Sequence, residues 1–82
     1  MNFKYKVEFD NGHSTRVIGN ANDMETCWKI INDFMDERNY MSYYQRVTLL
    51  DNKLWIDVGS HTRFFYMSRY DGKSMEEEFY GK

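Results

Sequence analysis

Between Asn22 and Arg38 the apolar residues Met24, Cys27, Trp28, Ile31, Phe34 and Met35 recur at spacings of three and four. That period lays them along one side of a 3.6-residue helix and predicts a helix over this segment with a face that must be covered. Asn22, with Glu25 three positions later, reads as an N-terminal capping box, and Asn39 suits the left-handed residue that ends a helix. On either side the period changes to two. Phe3, Tyr5, Val7 and Phe9 alternate with Lys4, Lys6 and Glu8, the pattern of a half-buried strand. Asp10-Asn11-Gly12-His13 is a hairpin signal, because Asn and Gly accept positive φ. The returning strand is expected over Ser14 to Ile18, with Thr15 and Val17 inward and Gly19-Asn20-Ala21 turning the chain into the helix.

Beyond Asn39 three further runs read as strands: Tyr43 to Leu50, Leu54 to Val58, and Arg63 to Ser68. Asp51-Asn52-Lys53 and Gly59-Ser60-His61-Thr62 supply the connections. Leu54, Ile56 and Val58 share one face opposite Trp55 and Asp57, while Phe64 and Tyr66 oppose Phe65 and Met67. Both faces of this part of the sheet therefore carry large apolar groups, and one helix covers one face. Near the C-terminus, Ser74-Met75-Glu76-Glu77 predicts a second, shorter helical turn to Tyr80, pinned by Met75 and Phe79 with Glu76, Glu77 and Glu78 in water. The expected fold is α+β: a ββαβββ chain, one domain over residues 1–82, with an antiparallel five-stranded sheet, one helix on one face and a C-terminal helical turn.

With 82 residues there is room for one core and no second. Aromatic residues make up 18% of the chain, more rings than that core is expected to enclose. The single cysteine, Cys27, lies in the apolar stripe of the helix and reads as a buried thiol. The first nine residues mix Lys and Glu with apolar residues and contain no signal-peptide-like or membrane-spanning run, which points to a reducing, cytoplasmic location. A net charge of −2 argues against a protein that holds nucleic acid mainly through its phosphates.

No motif for chemistry is present. His13 and His61 both fall in turns, three Cys and His residues in all do not make a structural zinc site, and there is no serine elbow or glycine-rich phosphate loop. The expectation is a non-enzymatic protein without cofactor or metal. Charge is segregated along the chain. Asp23, Glu25, Asp33, Asp36 and Glu37 outnumber Lys29 and Arg38 on the helix, and the tail adds Asp71 and three glutamates, whereas the later strands carry Arg46, Lys53, Arg63 and Arg69. Tyr40, Tyr43, Tyr44, Trp55, Phe65, Tyr66 and Tyr70 cluster in or near those strands, a mixture of rings and arginines typical of an interface centre. The candidate partner-binding residues are Glu25, Asp33, Asp36, Glu37, Tyr43, Trp55, Phe65, Glu76, Glu77 and Glu78. A protein partner is the first expectation, a second copy of the chain the next, and single-stranded nucleic acid, through Arg46, Arg63, Arg69 and the tyrosines, the third.

In size, acidity, aromatic content and strand-helix-strand plan, with the run Trp55-Ile56-Asp57-Val58-Gly59-Ser60-His61-Thr62-Arg63-Phe64-Phe65-Tyr66, the chain resembles small orphan proteins encoded by bacteriophages and prophages. Anti-CRISPR proteins are the best-known functional class among such products. The resemblance implies an inhibitor of a host RNA-guided nuclease that works by binding in the bacterial cytoplasm, through the acidic helix and tail, the aromatic sheet face, or both.

Overall fold

Strict alternation becomes strand where expected: in a computed structural model describing residues 2–81, Tyr5, Val7 and Phe9 turn inward from β1 (Tyr5–Asp10). The remaining elements are β2 (Thr15–Ala21), α1 (Met24–Arg38), β3 (Arg46–Leu50), β4 (Lys53–Asp57), β5 (Phe64–Arg69) and α2 (Glu76–Tyr80). The five strands form one sheet in the order β2-β1-β5-β4-β3, with every neighbouring pair antiparallel. This is the expected α+β domain. The helix carries the chain from one edge of the sheet to the other, and β4 and β5 then return inward until the last strand pairs with the first.

The core lies between one face of this sheet and the helices. Cys27, Ile31, Phe34 and Met35 of α1 meet Tyr5, Val7 and Phe9 of β1, Leu54 and Ile56 of β4, and Phe65 and Met67 of β5. Met75 is fully buried in the same cluster and Phe79 packs against it, so the tail is pinned as its spacing predicted. Burial also pushes the Cys27 thiol up to about 11, with a smaller contribution from Asp23, in keeping with an inert core thiol.

Besides the strand expected from Tyr43, which begins at Arg46 and leaves Tyr43 and Tyr44 in the loop before β3, two local expectations are corrected. The helix cap is Asp23, not Asn22: Asp23 has extended backbone angles and its Oδ1 accepts the Thr26 N–H at 2.7 Å. A charged carboxylate gains more than an amide from the positive end of the helix dipole, and Asn22 is used elsewhere, accepting the Lys4 N–H at 3.1 Å. At the other end Asn39 takes φ 57° and its N–H bonds back to Asp36, as expected.

The second correction concerns β2, which runs through Gly19-Asn20 to Ala21 instead of turning there. Its register against β1 shifts between Val7 and Glu8: Val7 pairs with Gly19 and Glu8 with Val17, so Ile18 is an extra residue. A bulge reverses the facing of the residues beyond it. Val17 is therefore 48% exposed on the helix-free side, while Ile18 and Ala21 pack on the core. Gly19 lies where a Cβ would stand 2.9 Å from Cδ1 of Ile30, so its missing side chain lets α1 approach the strand.

Candidate functional site

Three surfaces emerge from this arrangement, and they divide residues that the sequence groups together. The first is the helix-free face of the sheet. Across strands, Trp55 pairs with Tyr66 and Asp57 with Phe64, which brings the Trp55 and Phe64 rings to 5.2 Å between centroids. Trp55, Phe64 and Tyr66 are each half-buried, and both helices lie on the opposite face. Tyr66 donates to Asp10 at 3.3 Å, and the Lys53 ammonium stands 4.5 Å from its ring centroid. Burial first, and the neighbouring Asp10 second, raise the Tyr66 phenol above its usual value. At the far end of the face Tyr70 donates to Asn20 and lies 5.9 Å from the Lys6 ammonium. The result is a ring-bearing face framed by charges of both signs.

Phe65 does not belong to that face. It is 0% exposed and contacts Phe9 and Phe34 in the core, because it and Phe64 point to opposite sides of the same strand. Tyr40 likewise sits on the helix side, packed against the core cluster, with Arg63 over its ring at 4.0 Å. The ring surplus read from the sequence is real but smaller than seven.

The second surface is the outer side of the helical layer. Glu25, Asp33, Asp36 and Glu37 are exposed on α1, with Asp33 held by Lys29 at 2.7 Å and Glu37 3.5 Å from Arg38. Glu76 and Glu77 are exposed on α2 and line an open cleft of about 820 Å³ with Lys4, Met24, Trp28 and Tyr80. Glu78 departs from the expectation that it faces water. Its side chain is 7% exposed, accepts the Tyr5 hydroxyl at 2.7 Å and meets Arg69 at 3.4 Å. A lone buried carboxylate would be costly; both donors reach Oε2 and offset part of that cost, while Oε1 is buried without a hydrogen-bond partner among the described residues.

That network removes Arg69 from the accessible arginines. Its guanidinium grips Asp71 through two bonds of 2.7 and 3.0 Å and is itself 17% exposed. The paired arginine holds the Asp71 carboxyl down to about 2, helped by the Lys73 N–H, and Asp71 in turn raises Arg69 above its usual range. Desolvation and the Glu78 carboxylate push the Tyr5 phenol up to about 12.

The third surface was not read from the sequence. At the end of the sheet, Arg38, Tyr40, Tyr43, His61 and Arg63 line an open hollow of about 690 Å³. Tyr43 is 71% exposed and its N–H bonds to the Val58 carbonyl at 3.1 Å, which anchors the loop before β3 to the end of β4. Only the alternation of arginines with rings hinted at this grouping, since Arg38 ends the helix and Arg63 lies twenty-five positions later. His13 remains in its exposed turn, and among the described residues no carboxylate lines the hollow beside His61. Among the described residues, no three His, Cys, Asp or Glu side chains come together as metal ligands, and no helix is long and apolar enough to cross a membrane. No protein-family model matches this chain, and no match was found among curated proteins or solved structures.

Proposed function

We propose that the protein is a non-enzymatic binder that docks on a host protein through the helix-free sheet face, as a phage-type inhibitor in the bacterial cytoplasm. One observation carries this reading: Trp55, Phe64 and Tyr66 stand half-exposed and adjacent on a face that neither helix covers. Rigid rings on a strand scaffold lose little conformational freedom on binding and are the usual energetic centre of an interface. Asp10, Glu8 and Asp57, with Lys6, Lys53 and Arg46, frame the rings and supply charges of both signs for register and specificity. The acidic helical layer is on the opposite side, so its part is long-range steering toward a basic partner instead of direct contact beside Trp55. A nucleic-acid-processing effector, above all an RNA-guided nuclease, has that basic character and is the class to which the phage resemblance points.

The test is a cleavage assay with purified RNA-guided nucleases and a molar excess of this protein. Inhibition by the wild type that is lost in Trp55→Ala, with folding unchanged by circular dichroism, supports the reading. Unchanged cleavage by every nuclease tried rejects the inhibitor. Sedimentation of the protein alone adds a second arm: a stable dimer that dissociates in Trp55→Ala would assign the face to a second copy and overturn the foreign partner.

A further inference from the structure

We propose that the hollow at the end of the sheet binds a nucleoside phosphate, taken up either free or as one unit of a single strand. The argument starts from the arginines. The Arg38 guanidinium carbon lies 3.8 Å from the centroid of Phe34, and that of Arg63 lies 4.0 Å from the centroid of Tyr40. Arg16 approaches the same Phe34 ring at 5.7 Å. Phe34 and Tyr40 are themselves fixed, 6.3 Å apart and both within reach of Phe9. A guanidinium resting on an immobile ring keeps its plane and loses less freedom when it binds.

These forks are also unspent. Among the described residues Arg63 and Arg16 have no ion-pair partner, and Arg38 has only the 3.5 Å approach of Glu37. Arg69 shows the contrast, with two carboxylates closing its donors. Arg38, His61 and Arg63 are the groups of basic type in the hollow, and among the described residues no carboxylate lines it. An oxyanion is the ligand that satisfies such donors, and Arg favours phosphate through paired N–H bonds.

Phosphate alone leaves the rings unused. Tyr43 offers a largely exposed ring at the rim, its stem resting on Gly59, where an added Cβ would come within 3.0 Å of the Tyr43 Cβ. A base stacks on such a ring or on the outer plane of a guanidinium already backed by an aromatic residue. The net charge of −2 and the acidic helical layer oppose a long polyanion, so the site fits one or two nucleotide units and not a duplex. This inference is independent of the sheet-face reading, since it uses different residues on a different surface.

The experiment is a calorimetric titration at low salt with three probes: inorganic phosphate, adenosine monophosphate and a short oligothymidine strand. The nucleotide and the strand are expected to bind, the strand with a logarithmic salt slope of roughly −1.4 for two phosphate contacts at about 0.7 each. Tyr43→Ala should weaken nucleotide and strand about tenfold, through loss of one stacking surface, and leave phosphate unchanged. Arg63→Gln should weaken all three probes, while Lys73→Gln, on the exposed turn after β5 and outside the hollow, should change none. Because Tyr43 is exposed, its variant keeps the test valid even if Arg63→Gln loosens the packing on Tyr40. Equal affinity for nucleotide and strand identifies a free nucleotide as the ligand, and a much tighter strand identifies nucleic acid. Absence of binding by both, insensitivity to both variants, or tighter binding of a polyglutamate peptide than of either nucleotide probe would overturn the proposal.

Discussion

Phe64 and Phe65 are consecutive in β5 and chemically identical, yet one is sealed in the core and the other lies half-exposed beside Trp55. The difference is made by the helices, which cover one side of the strand and leave the other. It teaches that in this protein a ring's role is set by its parity along a strand more than by its type. The arginines repeat the lesson. Arg69 faces the helical layer and is closed by Asp71 and Glu78, whereas Arg63 rests on a ring and has no ion-pair partner among the described residues.

The sharpest way to break this comparison is truncation on each side. Phe65→Ala should cost about 3–5 kcal/mol in urea unfolding, the range for emptying a buried aromatic site. Trp55→Ala should cost no more than about 1–2 kcal/mol, because its ring is already partly in contact with solvent, and should abolish binding of the proposed partner. Equal losses would mean that the helix-free face is part of the core.

A smaller effect is expected from the buried polar network. Tyr5→Phe removes the hydrogen bond to Glu78 and should cost about 1–2 kcal/mol, whereas Tyr43→Phe, on an exposed ring, should stay within about 0.5 kcal/mol. The network also sets the pH limits of stability. The Tyr5 phenol is raised from 10.0 to about 12, so its contribution is complete below pH 10 and is lost as pH rises toward 12. The Asp71 carboxyl is lowered from 3.8 to about 2, so its contribution is present above pH 3.8 and is lost as pH falls toward 2. Unfolding midpoints measured across pH should therefore be flat with respect to these two groups between those limits, and Tyr5→Phe should remove only the Tyr5 share of the alkaline slope, leaving that of Cys27 and Tyr66 and the acid limb in place.

The smallest effect separates two neighbours at the helix start. Asp23→Ala should lower the melting temperature by roughly 5 °C, as loss of a helix cap does in a domain of this size. Asn22→Ala, which gives up one exposed bond to the Lys4 amide, should lower it less. A larger effect at Asn22 would return the cap to the position its sequence pattern favours.

How much was legible follows from which interactions are local. The helix, the first strand, the hairpin signals, the Leu54-Ile56-Val58 face and the Met75-Phe79 pin all rest on spacings of two, three or four, and the chain folds accordingly. Alternation alone showed that Phe64 and Phe65 point opposite ways. It does not tell which side the helix covers, so composition alone places Phe65 among the surface rings although it is buried. Glu78 read as solvated because its neighbours Glu76 and Glu77 are, and its donors come from residues 5 and 69.

The amino-acid order by itself determined that this is one α+β domain with a single long amphipathic helix and more rings than one core holds. The tertiary structure alone decided that the first and last strands are partners, that a bulge at Ile18 turns Val17 outward, and that Arg38 and Arg63 share a hollow. The physical reason is range. Period and capping are written within one turn or one hairpin, whereas strand order, the side a helix covers and the pairing of distant charges depend on where separate elements meet once the core has closed.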